Sequence, residues 1–254
     1  MNELEKYYNK FNEDKRLKSR HGQVEFFVTM KYIMDEIGGR NGLKVLDIGA
    51  GTGAYATPLS EMGHFVTAVE LVRKNLSYMT PTENLIVKQG NAKKLKLPND
   101  TFDITLVFGP LYHLMTREEK LQAISEAKRV TKSGGTIMLM YLMNDYAVIS
   151  YALKEGHLLE SVNNGKLDKD FQTHTDEKDL YSYVRINEID ELMQKSALKR
   201  KKIIAVDGPT DYIRPTINKM TDEEFEVYKQ YVLSIAERSE LLGASSHVLD
   251  ITKK

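Results

Sequence analysis

The sequence predicts an α/β fold built on a mostly parallel sheet, and three observations carry that expectation. From Lys44 onward, short runs rich in β-branched residues alternate with segments of helical periodicity, the order expected of repeated βαβ units. The first such run ends in V-L-D-I-G-A-G-T-G, residues 45–53, a glycine-rich turn between a strand and a helix. Finally, the 254-residue chain has 41% hydrophobic residues, so it can bury a large core.

The elements follow in order. Residues 1–22 are polar with scattered aromatics, Tyr7, Tyr8 and Phe11, and read as a helical or irregular arm. In residues 23–37, Phe26, Phe27, Met30, Ile33, Met34 and Ile37 recur at three- and four-residue spacing. That spacing predicts an amphipathic helix, stopped by Gly38-Gly39. Strands are expected at 44–48, at 65–70, over L-I-V-K-Q and over D-I-T-L-V-F, with helices at 54–62 and 72–77 between them. Residues 117–131 place Leu121, Ile124, Ala127 and Val130 on one helical face, and Ser133-Gly134-Gly135 then turns the chain into T-I-M-L-M-Y-L. Residues 145–180 break the alternation and read as an insertion over the active edge of the sheet. Beyond it come a β-like Y-S-Y-V-R, a helix at 187–197, a strand over K-K-I-I-A-V-D-G, a long helix near 221–240 and a final strand over H-V-L-D-I-T.

Composition excludes several classes. Without cysteine there is no disulfide, thiolate metal site or cysteine nucleophile. No apolar run approaches the ~20 residues of a membrane span, and the charged N-terminus lacks a signal-peptide core, so a cytoplasmic protein is expected. Lys plus Arg balances Asp plus Glu at 36 each, which gives no global attraction to nucleic acid. The basic runs Lys93-Lys94-x-Lys96 and Lys199–Lys202 read as solvated faces, with phosphate contact as the alternative. No histidine and carboxylate set has metal-ligand spacing.

The glycine turn narrows the ligand. A dinucleotide fingerprint is G-x-G-x-x-G aimed at a pyrophosphate. Here Gly49, Gly51 and Gly53 alternate, and Asp47 stands two residues before them. A carboxylate there repels a pyrophosphate and attracts a cation or an amine. Nineteen residues after Gly51, Glu70 ends the second strand, where an acid can accept both ribose hydroxyls. A ribose, positive charge and no pyrophosphate together describe S-adenosylmethionine (SAM).

D-I-G-A-G-T-G with Glu70, Gln89-Gly90-Asn91-Ala92 and F-D-I-T-L-V-F-G-P-L-Y-H-L resembles the class I SAM-dependent methyltransferases over about residues 40–142. The closest flavour is the small-molecule type that includes the ubiquinone/menaquinone methyltransferases. R-V-T-K-S-G-G is similar to a further family element, with Ser133 in place of the usual Pro. The resemblance implies a Rossmann-like doubly wound sheet of seven strands, mostly parallel with the last antiparallel. With the chain's own pattern, this gives an N-terminal helical arm or lid over 1–40 and a SAM-binding domain over 41–254 that carries the inserted lid at about 145–180. Gly49, Ala50, Gly51 and Gly53 would pack on the methionine portion, Asp47 would orient it, and Glu70 would hold the ribose. Leu71, Ala92 and Asn91 would border the adenine, although the family usually has Asp at the last position. Phe108 would line the methyl-donor pocket. Separately, Arg20-His21 and Tyr7-Tyr8 of the arm could fold over the cofactor as a lid, with a solvated helix as the alternative.

His113 is the candidate general base and Tyr112 a candidate substrate contact; packing is the alternative for each. His157 and His174 in the insertion could face substrate. The expected reaction is in-line transfer of a methyl group to a small-molecule O, N or C nucleophile. The alternatives are an RNA methyltransferase, an NAD(P)-dependent oxidoreductase and a SAM-binding protein without turnover.

Overall fold

A computed structural model describes residues 19–254. Helix α1 (Arg20–Ile37) starts on Ser19, whose side chain accepts from the Gly22 N–H, and ends on Gly38 in the left-handed conformation. The strands are β1 (Lys44–Ile48), β2 (Phe65–Glu70), β3 (Leu85–Gln89), β4 (Phe102–Val107), β5 (Thr131–Leu142), β6 (Lys199–Ala205) and β7 (His247–Lys253). They form one sheet in the order β3-β2-β1-β4-β5-β7-β6. β7 runs antiparallel to both neighbours, so the other six share one direction and only the last strand is reversed, as expected.

The helices cover both faces. Between the strands lie α2 (Ala56–Glu61), α3 (Arg73–Leu76) and α4 (Arg117–Val130). After the insertion come α5 (Ile186–Ser196) and α6 (Asp222–Ile235). Successive strand residues point to opposite sides. On one side Val45, Ile104 and Met138 meet Val28 and Ile33 of α1 and Val232 of α6. On the other, Leu46, Ile137 and Leu139 meet Ile124 and Ala127 of α4 and Ile189 of α5. Each fully buried aliphatic side chain contributes about 1.5–3 kcal/mol, and burial on both faces explains why these strands read as near-continuous apolar runs.

Three local expectations change. β5 begins at Thr131, because Ser133-Gly134-Gly135 forms an irregularity within the strand, opposite a register shift between Phe102 and Ile104, and not a turn before it. Gly134 has φ +75, and a Cβ at Gly135 would lie 2.6 Å from Thr131 Cγ2. The segment Y-S-Y-V-R is no strand: Val184 makes one isolated parallel bridge to Met143. The long C-terminal helix stops at Ile235 and a 3₁₀ segment, Ser239–Ala244, follows.

The insertion leaves β5 at Leu142 and reaches α5 at Ile186. It holds a short helix (Asn144–Ala147), a π-helical turn (Val148–Lys154), a second short helix (Leu158–Asn163) and then irregular chain. The Ser182 N–H donates to the Tyr112 carbonyl at 2.8 Å and the Val184 N–H to Leu142 at 2.9 Å. These bonds hold the returning chain against the carboxyl ends of β4 and β5.

Candidate active site

The glycine turn is shaped by what surrounds it. The Gly49 and Ala50 N–H groups donate to the Val69 carbonyl at 2.7 and 3.1 Å, which draws the turn over β2. Gly49 has φ +74, and a Cβ there would lie 2.5 Å from the Pro110 ring. Gly51 also has positive φ, +55, yet a Cβ there would meet nothing within 4 Å. The first glycine is therefore required by packing, whereas the second leaves open space beside its backbone.

That space belongs to a cleft of about 590 Å³ at the carboxyl ends of the strands, the place where ligands bind in open parallel sheets. Its lining includes Asp47, Gly49, Ala50, Gly51, Glu70 and Leu71. Asn91, Ala92, Phe108, Tyr112 and His113 line it too. Gly53 is not in the lining; it has φ +90, and a Cβ there would collide with Met79 and Thr57. Arg20 is also elsewhere. Its guanidinium donates to the Thr221 carbonyl and to Asp222 at 2.8 Å and lies over the Phe225 ring. Tyr8 lies outside the described residues.

The acids of the turn are coupled. Glu70 Oε2 accepts from the Gly51 N–H at 2.9 Å and Oε1 from the Val72 N–H at 2.7 Å, so this carboxylate braces the turn it faces. Burial raises its pKa, and the backbone donors hold it back. Asp47 is 1% exposed, and burial, then the nearby Glu70, pushes its pKa up to about 7. Asp47 Oδ2 has no hydrogen-bond partner among the described residues. A buried, unpaired carboxylate oxygen beside an open glycine fits the cationic end of SAM, and Glu70 lines the same cleft. Asn91 is less available than expected, because its Oδ1 accepts from the Lys93 N–H at 2.9 Å.

His113 sits on a 3₁₀ turn (Pro110–His113) after β4. Its Nδ1 lies 2.8 Å from the Leu180 carbonyl. A carbonyl only accepts, so Nδ1 carries the proton and Nε2 is the basic nitrogen. Burial lowers its pKa to about 4, so the ring is neutral near pH 7. Tyr112 packs edge-on against His113 and His247, with centroids 4.9 and 6.1 Å apart. His157 stacks on Tyr151 and pairs with Glu160. His174 pairs with Asp168. Neither histidine lines the cleft.

The sequence did not reveal two further groups. Glu25 of α1 and the insertion residues Glu177, Asp179 and Leu180 line the cleft, although none belongs to a motif. Asp207 and His247, forty residues apart, form a buried pair beside Tyr112. Asp207 Oδ2 lies 2.6 Å from His247 Nδ1, and the carboxylate also accepts from Ser245 Oγ, Ser246 Oγ and the His247 N–H. Asp211 completes a set whose ligand atoms lie within 4.8 Å of one another. No spacing rule pointed to it, since the β6–β7 pairing is what assembles it.

The sheet order, the glycine turn and its two acids resemble those of class I SAM-dependent methyltransferase domains. Residues 46–139 match the family described as "Methyltransferase domain". An uncharacterized methyltransferase of Anoxybacillus flavithermus is 27% identical over 54% of this chain and 62% of its own length. A ubiquinone/menaquinone biosynthesis C-methyltransferase of Edwardsiella ictaluri is 32% identical over 43% of this chain and 47% of its own. The chain thus spans less than two thirds of these curated relatives. Among solved structures, a SAM-dependent methyltransferase from Thermotoga maritima aligns with a TM-score of 0.60 at 17% identity, covering 98% and 97% of the two chains. A Haloferax volcanii complex of the Trm112 methyltransferase activator with a methyltransferase aligns at 0.61 and 16%, covering 100% and 98%. Both likenesses concern the fold.

Proposed function

We propose that the chain transfers the methyl group of SAM to a small-molecule acceptor. When bound, SAM supplies an electrophilic methyl carbon on a sulfonium. Asp47 orients its cationic end, Glu70 holds the ribose, and Leu71, Asn91 and Ala92 border the base. Phe108, Tyr112 and His113 wall the space in front of the methyl group. Holding a nucleophile there aligned, at about 3 Å, is worth on the order of 7–11 kcal/mol. The insertion tip at 177–180 acts as a lid that excludes water. Nε2 of neutral His113 accepts a proton from an acceptor that carries one.

The observation favouring a small molecule over RNA is the placement of charge. Three of the four residues of the basic run are held in ion pairs: Arg200 with Asp250 and Asp190, Lys201 with Glu36, and Lys202 with Glu237. The run also starts β6, at the amino edge of the sheet, opposite the cleft. The cleft itself carries an excess of carboxylates, which repel a polyanion. Scanning fluorimetry with SAM, S-adenosylhomocysteine and NADH tests the cofactor, and transfer of label from SAM tests turnover. Stabilisation by NADH alone defeats the reading, binding without product under any acceptor leaves a sensor, and salt-sensitive RNA binding favours the RNA alternative.

A further inference from the structure

Beyond Glu70 the cleft wall is built from Leu71 and from residues 90–93, the turn that follows the end of β3 at Gln89. Asn91 shapes that turn and is exposed to the cleft it lines. Its Oδ1 accepts from the Lys93 N–H at 2.9 Å, and its backbone carbonyl accepts from the Lys94 N–H at 3.0 Å. A backbone N–H only donates, so the atom turned to Lys93 is the amide oxygen, and the amide cannot be flipped. What Asn91 has left to offer a ligand is Nδ2, which carries two donors and accepts nothing.

Neighbouring acceptors on this wall are engaged as well. The Leu71 carbonyl accepts from Gln89 Nε2 at 3.1 Å. Glu119 Oε1 pairs with Lys93 Nζ at 2.6 Å, and Oε2 takes the Met115 and Thr116 N–H groups at 3.2 and 3.4 Å. An adenine has two kinds of polar atom to set against Nδ2: an exocyclic amine, which donates, and ring nitrogens, which accept. The amine against Nδ2 would put two donors face to face and strand both once water is expelled. A ring nitrogen in the same place makes a hydrogen bond.

Resting on the SAM reading above, we propose that Asn91 is a specificity residue that donates Nδ2–H to a ring nitrogen of the adenine and leaves the exocyclic amine unread. An aspartate in its place would keep the bond to the Lys93 N–H with one oxygen and turn the other, an acceptor, to the base. Exchanging the amide NH₂ for an oxygen therefore reverses which atom of the base is bound. Asp47 and Glu70 lie at the glycine turn and keep their contacts in either case, so the consequence is confined to the base.

The test titrates the full chain by calorimetry with S-adenosylhomocysteine and with its 6-deamino, 1-deaza, 3-deaza and 7-deaza analogues. The first analogue removes the amine, and each of the others replaces one ring nitrogen by C–H. The 6-deamino compound should bind within about threefold of S-adenosylhomocysteine, while one deaza compound binds about five- to tenfold more weakly, the equivalent of one hydrogen bond. Asn91→Ala should bind that deaza compound and S-adenosylhomocysteine alike. Asn91→Asp keeps the acceptor for the Lys93 N–H, and with it the turn, yet should weaken S-adenosylhomocysteine about tenfold, because a carboxylate then faces the ring-nitrogen lone pair. Should Asn91→Ala fail to fold, the analogues and the Asp variant decide alone. A tenfold or greater loss with the 6-deamino compound, equal binding of S-adenosylhomocysteine and all three deaza compounds, or unchanged or tighter binding by Asn91→Asp overturns the assignment while the SAM reading stands. A deaza loss that persists in Asn91→Ala overturns it too. Failure of S-adenosylhomocysteine to bind the parent at all overturns the SAM reading, and this one with it.

Discussion

At the scale of single residues, the two glycines that begin the turn do different work. A side chain at Gly49 must displace Pro110 and adopt positive φ, whereas one at Gly51 meets only the open cleft. Gly49→Ala is expected to destabilise the protein by about 1–3 kcal/mol, an overpacking cost, while Gly51→Ala carries the smaller strain of positive φ, about 1–2 kcal/mol. Gly51→Ala should nevertheless lose most SAM affinity, because its methyl group occupies ligand space. Urea denaturation paired with calorimetry separates the two; equal losses of stability would refute the distinction. Glu70→Ala should weaken SAM binding by about 1.5–3 kcal/mol, the value of a charged hydrogen bond, and unchanged calorimetric affinity would count against its ribose role. The residue types and spacing of the turn were legible in the sequence, since a strand-ending acid and alternating glycines state a chemical requirement. The bracing of Gly51 by Glu70 was not, because it depends on how closely β1 and β2 bring residues nineteen apart in sequence.

At the scale of elements, the insertion is held by a clasp on the first turn of α4. Lys120 Nζ donates to Ser182 Oγ at 2.8 Å and to the Leu114 carbonyl. Ser182 Oγ donates to that same carbonyl at 2.9 Å. Burial lowers the Lys120 pKa to about 8, which is the cost of placing an ammonium there. Lys120→Met keeps the aliphatic stem and removes the donor, stranding polar groups at about 1–3 kcal/mol. Amide exchange should then rise over residues 177–184, and protection equal to the parent would show that the clasp does not hold this segment. α4 itself begins with a capping box, Thr116 with Glu119, which its sequence announces. The clasp has no such signature: Lys120 reads as one more polar residue on an amphipathic helix, and its partner lies 62 positions away. Y-S-Y-V-R misled for a related reason. Its composition suits a strand, but β7 takes the place beside β5 that a further strand would need, and the segment is left with one bridge.

For the molecule as a whole, a net charge of zero conceals a sorted distribution, with paired basic residues at the amino edge and carboxylates in the cleft. Composition alone could not show that sorting, which the reversal of β7 and the insertion produce together. It makes stability depend on pH in a way that reports cofactor binding. Asp47 titrates near 7 in the folded chain against an ordinary 3.8. Between about pH 4 and 7 the folded state therefore keeps a proton that the unfolded chain has released, and stability falls as pH rises through that window. His113, lowered from 6.5 to about 4, acts with opposite sign between those values, because there the unfolded chain binds the extra proton. Asp207, held near 2 chiefly by the His247 charge, contributes stability above about pH 4 that is lost only as pH falls toward 2. Asp47→Asn removes the first contribution and leaves the others, so the difference between parent and variant isolates it. That difference should shift steadily in favour of the variant from pH 5 to 7 and then level off. In its proposed role beside the cationic end of SAM, Asp47 would bind best ionised, so SAM binding to the parent should tighten over the same interval, while binding to the variant should be weaker and nearly independent of pH. Denaturation curves at pH 5, 6, 7 and 8, with and without SAM, measure both effects. Parallel pH profiles for parent and variant would mean that Asp47 is ionised throughout and that its free oxygen does not await a cation.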